Sequence, residues 1–168
     1  KVGERLVKGE GSLAGGRDLM KKVVFRGPVL TQSGYGVHAR QVARWLLSRP
    51  DLDVGFVVLP WGDTPWLLDR DAHQGLVGQI MDRSVRLDAP ADVSVQLQLP
   101  NEWDPSAAPV CVGITAGVET DRCHLSWVEA CNRMTAVVFP SKHAMLSVTN
   151  TGQIKVPSFV IPEAYSEA

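Results

Sequence analysis

The chain carries almost no net charge: Lys and Arg total 17, Asp and Glu total 18, and the formal charge is -1 at pH 7. A nucleic-acid binder is normally basic, so this balance offers no electrostatic case for one. Long hydrophobic runs are also missing, and none approaches the roughly 20 apolar residues that cross a bilayer. No basic start leads into an apolar core and cleavage site, so no secretory signal is read. Cysteine is scarce. Cys111, Cys123 and Cys131 are odd in number and lack CxxC spacing. Cys111 in an apolar run and Cys131 on a helical face read as small buried hydrophobes. Cys123-His124 has no second ligand pair at metal-binding spacing, so no metal site is expected. The thiols fit a reducing cytoplasm. There are no internal repeats and no low-complexity tracts.

What is present is an ordinary globular composition, 45% hydrophobic and 21% charged over 168 residues, enough for one compact domain. Residues 1–19, with scattered glycines and no sustained period, read as an added or loosely ordered extension. The domain is expected over 20–168. Short apolar runs open at Val23, at 53–60, 91–100, 108–117, 135–140 and 158–162, most of them bounded by Gly or Pro. Helical stripes lie between them: Ala39, Val42, Ala43, Leu46 and Leu47; Leu76, Val77, Ile80 and Met81; Trp127, Val128, Cys131 and Met134; and 142–149 behind an N-cap at Ser141. Only 91–100 alternates, with Ser94, Gln96 and Gln98 on a polar side expected to be less fully covered. Apart from the direct step from 93–99 to 110–116, strands and helices take turns. That order predicts a Rossmann-like, doubly wound α/β domain with a mostly parallel sheet flanked by helices.

In such sheets ligands collect beyond the carboxyl ends of the strands. The unusual residues fall there. The first strand runs into Ser33, Gly34, Tyr35, Gly36 and His38, the second into Trp61 and Trp66, the third into Asn101, Glu102 and Trp103. The fourth runs into Gly117, Glu119, Thr120 and Asp121, and the fifth into Ser141 and Lys142. Glycines let backbone approach a ligand, and a helix N-terminus offers free N–H groups to an anion; equally, they serve a tight turn. "GYG" is not the GxGxxG dinucleotide fingerprint, and no bound cofactor is expected. His38 can donate to a phosphate or hydroxyl, or lie on the surface. Arg40 can supply charge, or sit on a solvated face. Trp61, Trp66 and Trp103 can stack on a sugar ring, or cover core at loop bases. Glu119 and Asp121 can act as a general base or bind hydroxyls, or favour the dipole of the following helix. Ser141 is most simply an N-cap and Lys142 most simply exposed.

With these residues assembled, the chain resembles the N-terminal lobe of a GT-B glycosyltransferase of the broad family-4-like group. The resemblance rests on "KKVVFRGPVLTQSGYGVHARQVARWL", "VCVGITAGVETDR", "VVFPSKHAMLSVTNTG" and "VIPEAY", and covers about residues 21–165. It implies an acceptor-side lobe facing a C-terminal lobe that binds a nucleotide-sugar donor. It places Gly34, Tyr35 and Gly36 near the donor diphosphate and makes Glu119 the nearest candidate for a polar catalytic-region residue, which in the family is often a histidine. "VIPEAY" resembles the crossing into the second lobe. The implied reaction moves a sugar from the nucleotide-sugar to a hydroxyl acceptor, with leaving-group charge met by protein cations and helix N-termini; no DxD-like metal motif stands in a convincing context. The implied location is cytoplasmic, with the periphery of a membrane left open. Two other readings stay open: a stand-alone nucleotide- or small-molecule-binding α/β module without catalysis, and an inert interaction domain.

Overall fold

The computed structural model describes residues 20–164; the extension expected over 1–19 and the last four residues lie outside them. Along the chain run β1 (Lys21–Gly27), α1 (Gly34–Leu47), β2 (Leu52–Val58), α2 (Ala72–Asp82), β3 (Val93–Leu97), a 3-10 turn (Pro100–Glu102), β4 (Val110–Ile114), α3 (Leu125–Cys131), β5 (Ala136–Phe139), α4 (Lys142–Thr149) and β6 (Ser158–Val160). All six strands pair in parallel, in the order β2-β1-β3-β4-β5-β6. This is the doubly wound α/β sheet that the alternation of apolar runs and helical stripes predicts. The chain winds one way from β1 to β2 and the other way from β3 onward. The carboxyl ends of β1 and β3 therefore flank the topological switch point.

Two apolar clusters hold the layers. On one face Val23, Phe25, Val54 and Phe56 pack against Ala39, Ala43 and Leu46 of α1, with Leu76, Val77 and Ile80 of α2 in the same cluster. Phe25 and Phe56 meet edge to face with centroids 6.1 Å apart. On the other face Cys111, Val137 and Phe139 pack against Val128 and Cys131 of α3 and Ala144 and Val148 of α4. Each buried Val, Leu, Ile or Phe among them contributes roughly 1.5–3 kcal/mol of transfer free energy. Cys111 and Cys131 are core atoms, as their positions in apolar runs suggest, and burial pushes the Cys131 thiol up to about 12.

The polar side of β3 departs from expectation. Ser94, Gln96 and Gln98 are buried, while Val93 and Val95 opposite are only partly so. The connection from β3 to β4 folds back over the polar side and pairs Gln96. Gln96 Nε2 donates to the Asp104 carbonyl at 2.7 Å, and the Asp104 N–H donates to Gln96 Oε1 at 2.8 Å. A buried amide is tolerated when it is paired, as Gln96 is; Ser94 Oγ and Gln98 Oε1 have no partner among the described residues. The same connection lays Trp103 over Gly113, where an added Cβ would come within 2.7 Å of the indole.

α2 also begins differently from its stripe. His73, Gln74 and Gly75 are all left-handed, at φ 53, 62 and 77°, before regular helix takes over. Arg44 of α1 braces this turn, donating to Gln74 Oε1 at 3.1 Å and to the His73 carbonyl at 3.0 Å.

Candidate functional site

The site is built on the turn from β1 into α1. Ser33 caps α1: its Oγ accepts from the Gly36 N–H at 2.9 Å. The Thr31 hydroxyl donates to the Pro28 carbonyl at 2.9 Å, so the 2.8 Å bond between Thr31 and Ser33 has Ser33 as donor. One chain of hydrogen bonds thus runs from the helix N-terminus to the end of β1. A Cβ on Gly36 would meet the Thr31 carbonyl and come within 2.8 Å of Thr31 Oγ1, so this glycine is required by packing. Gly34 has nothing within 4 Å of a Cβ and faces open space. Among the described residues the N–H groups of Gly34 and Tyr35 have no partner. They are the free donors at the positive end of a 14-residue helix.

Tyr35 ties three loops together. The Ala116 N–H donates to its hydroxyl at 3.1 Å, and the hydroxyl shares a 3.2 Å bond with the buried Thr115 Oγ1. Trp61, from the loop after β2, stacks on the Tyr35 ring with centroids 4.0 Å apart and planes inclined by 17°. Burial raises the phenol above its ordinary value and outweighs the two hydrogen bonds that lower it; the carboxylates of Glu102 and Glu163 raise it further. Both acids lie within electrostatic range of the phenol. Glu102 Oε2 also accepts from the Leu99 N–H at 3.2 Å, which fixes the 3-10 turn carrying the exposed Asn101.

Residues 161–164 reach the mouth from the far edge of the sheet. After β6 they cross to α1, where the side-chain amide of Gln41 pairs with both backbone groups of Ala164, at 2.6 and 3.1 Å. Glu163 Oε1 lies 3.3 Å from His38 Nδ1. Burial lowers the His38 imidazole below its ordinary value, outweighing the opposing pull of Glu163. With its value lowered from 6.5, the ring is neutral at pH 7 and faces the Glu163 carboxylate across that 3.3 Å gap. Neither Gln41 nor Glu163 stood out in the sequence, because their meeting spans more than 120 residues of chain.

The remaining candidates divide. Gly117 adopts φ 78° and its backbone rests against Ala144 at the start of α4, while His143 Nε2 donates to the Glu119 carbonyl at 3.2 Å. The Glu119 and Asp121 side chains are exposed and take no partner among the described residues. Neither caps α3: His124 does so, its Nδ1 accepting from the Ser126 N–H at 3.2 Å. The Thr120 hydroxyl donates to the Arg122 carbonyl at 2.6 Å. Ser141 caps α4, accepting from the Ala144 N–H at 3.0 Å, and Lys142 is exposed. Trp66 is 44% exposed, and its backbone bridges to Thr31.

Two residues take places away from the open mouth. Trp103 is buried in the second cluster, on the opposite side of the sheet from α1. Arg40 is neither a free charge nor a solvated one. Only 5% exposed, it donates through Nη1 to the Val29 and Thr31 carbonyls at 3.1 and 2.8 Å and so braces the loop below the α1 N-terminus. Burial pulls its guanidinium below its ordinary value. Helical geometry explains the placement: side chains lean toward the helix N-terminus, which aims Arg40 into that loop.

The mouth therefore gathers backbone donors at Gly34 and Tyr35, an aromatic pair, a neutral imidazole, and carboxylates at Glu102 and Glu163. Backbone N–H groups at a helix N-terminus suit an anion, and carboxylates accept hydrogen bonds from hydroxyls. No group of three His, Cys, Asp or Glu side chains among the described residues is arranged to hold a metal ion. No helix of the described residues is long and apolar enough to cross a membrane. A hollow of about 340 Å³ lies between Val24, Gly55, Val85 and Pro90 at the amino ends of β1 and β2, remote from the mouth. Ligands of open α/β sheets bind at the carboxyl ends of the strands, the end opposite this hollow. Fold and mouth together define a doubly wound α/β domain with a polar opening at its switch point. Comparison with family models, with curated proteins and with solved structures finds no match.

Proposed function

We propose that this domain is the acceptor-side lobe of a GT-B glycosyltransferase, which moves a sugar from a nucleotide-sugar to a hydroxyl acceptor. The observation that carries the reading is the meeting at one mouth of the free α1 N-terminus, the Tyr35–Trp61 pair and residues 161–164. These include the stretches on which the resemblance rests. In this reading the N–H groups of Gly34 and Tyr35 face the donor diphosphate, where they stabilise charge on the leaving group. The stacked rings and the carboxylates of Glu102 and Glu163 orient the acceptor. Glu119 and Asp121 stand on the loop after β4, where an exposed carboxylate can take the acceptor proton. A second lobe supplies the donor site, so this chain by itself does not catalyse transfer.

The test is a transfer assay on the 168-residue chain with nucleotide-sugars and simple hydroxyl acceptors, paired with calorimetric titration of nucleoside diphosphates and sugars. Ligand binding without transfer is expected. Sugar transfer by this chain alone contradicts the lobe reading. A reading frame that continues past Ala168 into another strand–helix domain of roughly 150–200 residues favours it over a stand-alone binding module.

A further inference from the structure

Three tryptophans stand near the ligand edge in sequence, and the fold treats each differently. Trp103 fills space over Gly113 in the second cluster. Trp66 is held by its backbone, and its ring stacks on no other aromatic among the described residues. Trp61 belongs to neither apolar cluster, so it is not there to fill core. One face of its indole lies on the Tyr35 ring, at 4.0 Å and 17°. Its indole N–H makes no hydrogen bond among the described residues and, unlike that of Trp103, is not a buried orphan. Trp61 is partly exposed. With one face covered, that exposure falls on the opposite face and the N–H edge.

Both rings are fixed before any ligand arrives. Tyr35 is anchored through its hydroxyl to the Ala116 N–H and to Thr115, after β4. Trp61 is anchored by the turn that follows it, where the Thr64 N–H and hydroxyl both donate to the Trp61 carbonyl, at 3.2 and 2.6 Å. The sheet order is β2-β1-β3-β4 at this end, with Trp61 following β2 and Tyr35 reaching from β1 to β4. The stack therefore lies across the carboxyl ends of β1 and β3, at the switch point. Rigid aromatic side chains with few torsions lose little entropy on binding, which suits a recognition platform.

Such a platform fits a ring with an apolar face and a rim of hydroxyls. A pyranose packs its C–H face on an aromatic plane as other apolar surface does. Its hydroxyls both donate and accept. The indole N–H is a donor, and the carboxylates of Glu102 and Glu163, within electrostatic range of the Tyr35 phenol, are acceptors. An open-chain polyol offers the hydroxyls without the flat face. A nucleobase also stacks, but in the lobe reading the nucleotide belongs to the second lobe, which leaves this stack to the acceptor.

Resting on that reading, we infer that the hydroxyl acceptor is a sugar, whose pyranose ring packs its C–H face on Trp61 and turns its hydroxyls toward Glu102 and Glu163. The test is ¹H–¹⁵N NMR of the 168-residue chain, which resolves the indole N–H of each of its five tryptophans. The probes are methyl glucopyranoside, methyl galactopyranoside, methyl mannopyranoside, sorbitol and uridine diphosphate, each to about 50 mM, so that dissociation constants of about 10 mM are covered. At least one pyranoside is expected to move the Trp61 indole saturably, with sorbitol about tenfold weaker or more. Trp61→Ala should weaken that pyranoside about tenfold, and Trp61→Phe, which keeps a stacking ring, by less than about threefold. Trp45→Ala, on the exposed side of α1 where Arg49 lies over the ring, should leave binding unchanged. Trp61 lies outside both clusters, so its variants fold, and circular dichroism verifies this. Pyranosides that leave Trp61 unmoved, sorbitol that matches them, or equal losses in Trp61→Ala and Trp45→Ala overturn the inference. So does a Trp61 indole that answers only to the diphosphate. A diphosphate that leaves the Gly34 and Tyr35 amides unmoved overturns the lobe reading instead, whatever the pyranosides do.

Discussion

Tyr35→Phe probes the tie that joins the loops of the mouth. The substitution keeps the ring, and hence the stack on Trp61, but removes the hydroxyl. The Ala116 N–H then loses its acceptor, while Thr115 Oγ1 keeps the Gly117 N–H as a donor at 3.3 Å. The cost is that of one partly buried orphan donor and one lost hydroxyl pair, about 1–2 kcal/mol. Tyr35→Ala removes the stacked ring too, and should cost about 3–5 kcal/mol. Urea unfolding followed by circular dichroism measures both. The phenol adds a pH signature. Its value in the folded state lies above 10 because of burial, so its contribution is full below the unfolded value and is lost as pH rises through the folded one. Wild-type stability should therefore fall above about pH 10 more steeply than that of Tyr35→Phe. If Tyr35→Phe unfolds within about 0.3 kcal/mol of wild type, with the same alkaline slope, Tyr35 does not hold the loops.

Other substitutions separate packing from function. Gly36→Ala should cost more than about 2 kcal/mol because its Cβ meets Thr31, whereas Gly34→Ala, facing open space, should cost under about 1 kcal/mol; equal losses in urea melts contradict the capping geometry. Gly113→Ala drives a Cβ into the Trp103 ring and should destabilise by about 1–3 kcal/mol, with a changed tryptophan emission spectrum. His38 is held below its ordinary value of 6.5, so its neutral form stabilises the fold above that pH, and this stability is lost as pH falls through the lowered value. Melts from pH 7 down to 5 should show a steeper loss for wild type than for His38→Gln, and identical slopes contradict the assignment.

The strands were legible because each is a short apolar run closed by Gly or Pro, α1 because Ala39, Val42, Ala43, Leu46 and Leu47 recur at helical spacing, and α4 because Ser141 sits just before its first turn. The polar side of β3 was misread. Alternation along one strand says which residues share a face, but not which face a later loop covers, and Asp104 decides that from outside the strand. Trp103 and Arg40 illustrate the same limit. Both lie near the predicted ligand edge in sequence, yet one fills space over a glycine and the other braces backbone carbonyls. At the mouth the glycines and Tyr35 could be singled out, since turn chemistry is local. The Thr115 contact and the His38–Glu163 pair could not, because they join segments 80 and more residues apart.

The central claim is that the α1 N-terminus and its neighbours form the ligand-bearing edge of a glycosyltransferase lobe. Amide NMR of the 168-residue chain titrated with nucleoside diphosphates and simple sugars tests it most directly. The account expects saturable shifts at Gly34, Tyr35, Ala116 and Gly117 and at the Trp61 indole, with little change around Val24, Gly55 and Val85. Shifts confined to that opposite end of the strands, or none at the α1 N-terminus at millimolar ligand, contradict it.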